Sequence, residues 1–205
     1  GGRAWLAAGA AVVVAALLAA AAVYAVTRDS NSGSGTPTTT TPPTTLTKDQ
    51  RALQSLIPPP IRKFCVWGAT EQHAGNLATA NCAYTDPKHG RLTKLHLDYF
   101  RDSASAFQIY IHHAGPGLRA SGLTTDFKTN RGLCNATEFR GEGTWSHDMG
   151  VMNAPSAGRM ACYLDPKTGE PTITWTYDAA RMFALVSGPS HGRLYAWWRF
   201  WAHEF

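Results

Sequence analysis

Cys82-Ala83-Tyr84-Thr85-Asp86-Pro87-Lys88-His89-Gly90 is echoed 79 to 80 residues later by Cys162-Tyr163-Leu164-Asp165-Pro166-Lys167-Thr168-Gly169. Each D-P-K-x-G segment encodes a tight turn. Asp caps the turn, Pro presets φ at its second position, and Gly takes the left-handed position that closes it. An alternating strand follows each turn, with Leu95, Leu97 and Tyr99 in the first and Ile173, Trp175 and Tyr177 in the second. The pattern predicts an α+β fold of antiparallel strands with flanking helices, built as two similar halves. D-P-K-x-G is a common turn on its own. The cysteine just upstream of both copies is what favours duplication over coincidence.

Working outward, Thr47 followed by Gln50 has the form of a capping box, with Leu53, Leu56 and Ile57 as the apolar stripe of a first helix. Pro58-Pro59-Pro60 ends it. Ser103 to His113 reads as a second helix carrying Phe107, Tyr110 and Ile111 on one face, closed at Ala114-Gly115-Pro116. Ala180 to Val186 fits a strand or a helix. Leu194, Trp197, Trp198 and Trp201 fall on one side of a last helix, a stripe that reads as core.

The 205 residues divide into chemically different pieces. Trp5 to Val26 is an uncharged run without proline, long enough to cross a bilayer core of ~30 Å. Val23-Tyr24-Ala25 resembles a cleavage site, but a secretory h-region runs only about 7–15 residues, which favours an uncleaved anchor. The predicted order is a cytoplasmic stub at 1–4, a transmembrane helix at 5–26, a Thr/Pro-rich linker at 27–47 and an extracytoplasmic domain at 48–205. The linker is an extended spacer, compatible with O-glycosylation. Cys65, Cys82, Cys134 and Cys162 all follow the anchor, and no C-x-x-C pair suggests zinc. An exported, disulfide-stapled domain fits this pattern, at the cell membrane as a single-pass protein. Three connectivities exist for four cysteines. The repeat predicts the equivalent pairs Cys65–Cys82 and Cys134–Cys162.

The proline-rich stretch before Cys65, Gly143-Thr144-Trp145, Gly158-Arg159-Met160-Ala161-Cys162-Tyr163, Pro171 to Trp175 and the closing Trp197-Trp198 together resemble a known family. It is the extracytoplasmic C-terminal, sensor-like domain of actinobacterial membrane proteins, as in receptor-type serine/threonine protein kinases. The resemblance implies a signalling receptor that senses an extracytoplasmic ligand. The sequence itself carries no Gly-rich phosphate loop, no H-R-D and no D-F-G, so a kinase would lie before Gly1.

Other chemistry is weak. Gly188-Pro189-Ser190-His191-Gly192 fits G-x-S-x-G, but only His203 and Glu204 follow in suitable types, and in the wrong order for a nucleophile elbow. It reads as a proline-glycine loop. His112 and His113 are adjacent and so do not share a helix face, which argues against a metal; they suit a helix C-terminus. Asp98, Asp102, Glu138 and Glu142 read as isolated surface acids. Asn135-Ala136-Thr137 is a formal glycosylation sequon. No cofactor motif is present. Residues 48–205 carry 17 Lys/Arg and 13 Asp/Glu, a net +4 that solubility explains and that makes no case for nucleic acid.

The expectation is therefore a non-catalytic sensor or ligand-binding module. A cell-envelope ligand would sit in a groove between the halves and bias the anchor or its homodimerisation, with Trp145, Arg140 and Trp175 as ligand-binding residues. The alternatives are a small envelope hydrolase and a structural or adhesive domain.

Overall fold

The computed structural model describes residues 45–68, 73–148 and 154–205. The stub, the expected transmembrane helix and the linker up to residue 44 lie outside the described residues. Among the described residues no helix is long and apolar enough to cross a membrane.

The chain opens with helix α1 (Lys48–Leu56), held by the capping box of Thr47 and Gln50, and then a short α2 (Pro59–Arg62). Strands β1 (Cys65–Gly68) and β2 (Asn76–Cys82) follow, with a two-stranded flap of β3 (Thr85–Asp86) and β4 (Gly90–Arg91) before β5 (Lys94–Phe100). Helix α3 (Ser103–Ala120) leads to β6 (Arg131–Cys134), β7 (Phe139–Trp145), β8 (Gly158–Leu164), β9 (Pro171–Tyr177) and β10 (Met182–Ser187). Helix α4 (His191–Trp201) and a 3-10 turn (Ala202–Glu204) end the chain. Eight strands form one antiparallel sheet in the order β1-β2-β5-β10-β9-β8-β7-β6. The architecture is α+β, helices on both faces of a large antiparallel sheet.

Register explains the two faces. Trp67, Ala80, Leu97, Ala184, Trp175 and Met160 lie in one row across the sheet. This row packs under α1 and α4, where Leu53, Leu194, Trp197, Trp198 and Trp201 are buried, as the stripe predicted. The neighbouring row points the other way because side chains alternate along a strand. It meets α3 through Ala106, Ile109, Tyr110, Ala114 and Leu118, with Ala161, Tyr163, Phe183 and Leu185 on the sheet.

Helix α3 does not end at Ala114-Gly115-Pro116. It runs on to Ala120 with Pro116 inside. Packing overrides the local breakers, because Gly117 lies where the helix touches Tyr163 of β8 and a Cβ there would fall within 2.5 Å of the ring. His112 and His113 are therefore in the helix interior.

The two halves match only in part. β2–β5 and β8–β9 are both adjacent antiparallel pairs that flank a D-P-K-x-G turn. The second turn joins its strands directly. The first closes the small flap, outside the main ladder. Met182–Ser187 is a strand, so β10 follows β9 where α3 follows β5. Cys65 is bonded to Cys82 and Cys134 to Cys162, but the bridges are not equivalent. Cys65 and Cys82 face each other on paired strands. Cys134 on β6 reaches past β7 to β8. It crosses at Gly141, where a Cβ would fall 2.7 Å from the Leu133 backbone.

Candidate functional site

The short length of β6 creates the site. β6 pairs with β7 only from Phe139 to Glu142, which leaves Gly143, Thr144 and Trp145 without an outer strand. Asn130 takes the place of that strand by accepting the Thr144 N–H at 3.0 Å through its side-chain oxygen. A cleft of about 650 Å³ opens here, lined by β7, by β6 with Asn130 just before it, by Met160 of β8 and by one side of α4. That size suits a small-molecule ligand.

Its floor is aromatic and apolar. Trp145 is buried and donates its indole N–H to the Thr176 carbonyl at 2.7 Å, which fixes the ring. Trp198 crosses it edge-on at 6.0 Å, and Tyr195 stacks on Trp198 at 6.2 Å. Met160 fills the space beside them. The rim is polar, with Asn130, Thr144, Ser146, Asp148, Ser156 and Arg199. Asp148, Thr144 and Arg199 are exposed. Ring surfaces below and hydrogen-bonding groups above can hold a ligand that has an apolar face and a polar edge.

Glu142 reaches the inner end of the cleft but is engaged elsewhere. Its carboxylate accepts from Arg159 Nε at 2.6 Å and from the Arg159 terminal nitrogen, from the Tyr110 hydroxyl at 3.2 Å and from Thr125 at 3.1 Å. Arg159 also donates to the carbonyls of Lys128 and Thr129, so the pair clamps the segment after α3 onto the sheet. Burial pushes the Tyr110 hydroxyl far above its ordinary value, and the Glu142 charge adds to it.

A second polar cluster lies under the far half of α3. Asp98 is fully buried and accepts from Thr79 at 2.7 Å, Asn76 at 3.0 Å and His96 Nε2 at 2.9 Å. Burial alone would raise its carboxyl. The His96 hydrogen bond and charge, with the bonds from Thr79 and Asn76, outweigh it and hold the group below the usual range. The other ring nitrogen of His96 lies 2.9 Å from the Asn81 side-chain oxygen. His113 stacks on Phe183 at 5.1 Å, and burial, then the charges of His112, His96 and Lys94, push it down to about 4. Among the described residues no group of three His, Cys, Asp or Glu is arranged to hold a metal ion.

The expected ligand residues do not converge. Trp145 lines the cleft. Arg140 is exposed beside Glu138 on a separate, smaller depression with Phe139 and His191. Trp175 is wholly buried between Trp198 and Phe205. The cleft is lined only by residues 130–199, so it belongs to one side of the sheet and not to a seam between halves. The sequence does not single out Tyr195, Trp198 and Arg199 as site residues, because a Trp stripe favours core over a ligand platform. The stripe has two flanks, and the flank one helical step away forms the wall. Asp98 and Glu142 are not surface acids. Both alternate with apolar residues on strands whose second face α3 covers. Ser190 precedes α4, whereas His203 pairs with Glu204 beyond its far end, some ~20 Å away along the helix, so these groups do not meet.

No protein-family model, no curated protein and no solved structure matches this chain.

Proposed function

We propose that the chain is a membrane-anchored, extracytoplasmic ligand-binding module without catalytic function, the outer part of a signalling receptor of the serine/threonine kinase type. The observation that carries the binding part is the cleft beside β7, where a ring-lined floor meets a rim of hydroxyl, amide and single charged groups. Such a surface binds without needing a nucleophile or a base. Two disulfides favour an oxidising compartment. The receptor part rests on the sequence resemblance. The ligand class is a cell-envelope fragment with ring-shaped apolar faces and hydroxyl edges, which the partly exposed Tyr195, backed by the buried Trp198, would stack and the rim would orient.

The test is a titration of the full chain, purified in detergent, with soluble envelope fragments such as muropeptides and oligosaccharides, read by tryptophan fluorescence. Saturable quenching in the wild type, weakened about tenfold or more in Tyr195→Ala and Arg199→Ala, supports the reading; a lost ring platform is of order 1–3 kcal/mol. Quenching that survives both substitutions, or none with any fragment, refutes the cleft as the binding site.

A further inference from the structure

The flap and the outer side of α4 form a surface that the cleft does not use. The only acid of the flap turn is Asp86, and it faces inward. Its carboxylate accepts from the Trp201 indole at 3.1 Å, from the backbone N–H groups of Lys88 and His89, and lies 2.9 Å from the His89 ring. What the flap shows to solvent is therefore Lys88 and Arg91, both exposed, with no outward carboxylate. Arg193 stands against the flap, since a Cβ on Gly90 would lie 3.8 Å from its guanidinium.

Two phenylalanines are exposed in the same region. Phe200 is 47% exposed and its ring is 5.9 Å from His89 of the flap. Phe64 is 43% exposed and carries the Lys63 ammonium 5.1 Å above its ring. They are linked through the interior by ring contacts, Phe64 to Tyr84 at 5.7 Å, Tyr84 to Trp201 at 5.9 Å and Trp201 to Phe200 at 5.0 Å. Glu204, in the turn after α4, pairs with His203. Exposed aromatic rings set among Lys and Arg, on a rigid aromatic base, match a surface that is both anionic and apolar just beneath its charges.

We propose that this surface, Phe64 and Phe200 with Lys63, Lys88, Arg91 and Arg193, docks on an anionic lipid bilayer. The rings enter the headgroup boundary and the four cations meet lipid phosphates. An anionic wall polymer would engage the cations but give the two phenylalanines nothing to bury in, which is why the bilayer is the favoured partner. Docking would fix which way the cleft faces.

The test uses the full chain with phosphatidylcholine vesicles, with or without 30% phosphatidylglycerol (roughly the anionic share that attracts basic segments). The readout is hydrogen–deuterium exchange at 63–65, 86–91 and 193–201. Partition of the apolar run 5–26 would give a background that depends on neither lipid charge nor these side chains. Exchange is expected to slow about fivefold or more in the anionic vesicles only, and to return on adding salt. The double variant Phe64→Ser/Phe200→Ser and the variant Lys88→Glu should each lose the protection while keeping the wild-type near-ultraviolet circular dichroism. Equal exchange in both vesicle types overturns the proposal, as does protection that survives the Phe variant. Equal protection by soluble polyphosphate, independent of the phenylalanines, assigns the surface to a polyanion instead and overturns it too.

Discussion

Gly117 tests the packing that brings α3 onto the sheet. Alanine has the higher helix propensity, so an exposed Gly→Ala change in mid-helix would stabilise by about 1 kcal/mol. At this position the added Cβ would fall within 2.5 Å of the Tyr163 ring atoms, and Tyr163 of β8 is itself buried in the cluster under α3. Either the ring is forced off its rotamer or α3 lifts from β8 and β9. Overpacking of a core of this density costs about 1–3 kcal/mol, and a contact this close belongs at the upper end. The net expectation for Gly117→Ala is a loss of about 2 kcal/mol. Tyr163→Leu removes the obstructing ring at its own cost, so the double variant Gly117→Ala/Tyr163→Leu should be more stable than the sum of the two single losses, by about 1–3 kcal/mol of coupling. Urea unfolding of the oxidised chain in detergent measures this, followed by tryptophan fluorescence, because only Trp5 of the seven tryptophans lies outside 48–205. A Gly117→Ala chain as stable as the wild type, or strict additivity in the double variant, would refute the close approach and with it the passage of the helix through Pro116.

His113 makes stability depend on pH. An unfolded imidazole takes its proton near 6.5, and the folded one only near 4. The unfolded state therefore binds more protons between those values, so the contribution is present above pH 6.5 and is lost as pH falls toward 4. Allowing for the partial exposure of the ring, the loss is about 1–2 kcal/mol, and urea midpoints at pH 7 and pH 5 should converge more closely in His113→Gln than in the wild type. Glu142→Gln leaves the Arg159 charge without its counterion and should cost about 3 kcal/mol, with faster hydrogen exchange across residues 123–130 that Arg159 and Glu142 hold down. Trp201→Phe keeps the ring packing but removes the indole donor to Asp86, so about 2 kcal/mol should go and exchange at Lys88 and His89 should quicken. Unchanged exchange in either segment would count against the corresponding clamp.

The local signals in the chain were mostly readable. The Thr47–Gln50 box, the β5 and β9 alternation and the Trp stripe of α4 each reflect short-range physics, and each element stands where its pattern puts it. What local pattern could not convey was the second face. Thr172, Thr174 and Thr176 alternate with Ile173 and Trp175 as a half-exposed strand would, yet all three threonines are buried under α3. The same covering hides Asp98 and Glu142, so acids that look ordinary in sequence are held in buried hydrogen-bond clusters. The helix breakers at Gly115-Pro116-Gly117 misled for a related reason. A glycine in a helix signals either an end or a close approach, and only the partner surface decides between them. The cleft was illegible because it is made by strand length, four residues in β6 against seven in β7.

That mismatch in length links the cysteines to the cleft. An open sheet has two edge strands, and each bridge of this protein ends on one of them, Cys65 on β1 and Cys134 on β6. β6 is the weaker edge. It has four residues, three of them exposed, and its Gly132 adopts a φ of +64°. Four ladder positions against β7 cannot by themselves outweigh the entropy of ordering the strand together with the segment between α3 and β6. The bridge to Cys162 encloses a separation of 28 residues, which in the chain-entropy model limits the unfolded chain by about 3–4 kcal/mol. It also crosses above Gly141 to the second strand inward, so β6 is tied to a strand that is itself paired on both sides. Gly132, Leu133 and Cys134 are part of the cleft wall. Loss of that bridge therefore acts on the ligand site before it acts on the sheet. The wall would fray while the rows under α4 and α3 stay packed, and a reducing compartment would yield a folded domain with an open, ill-defined cleft.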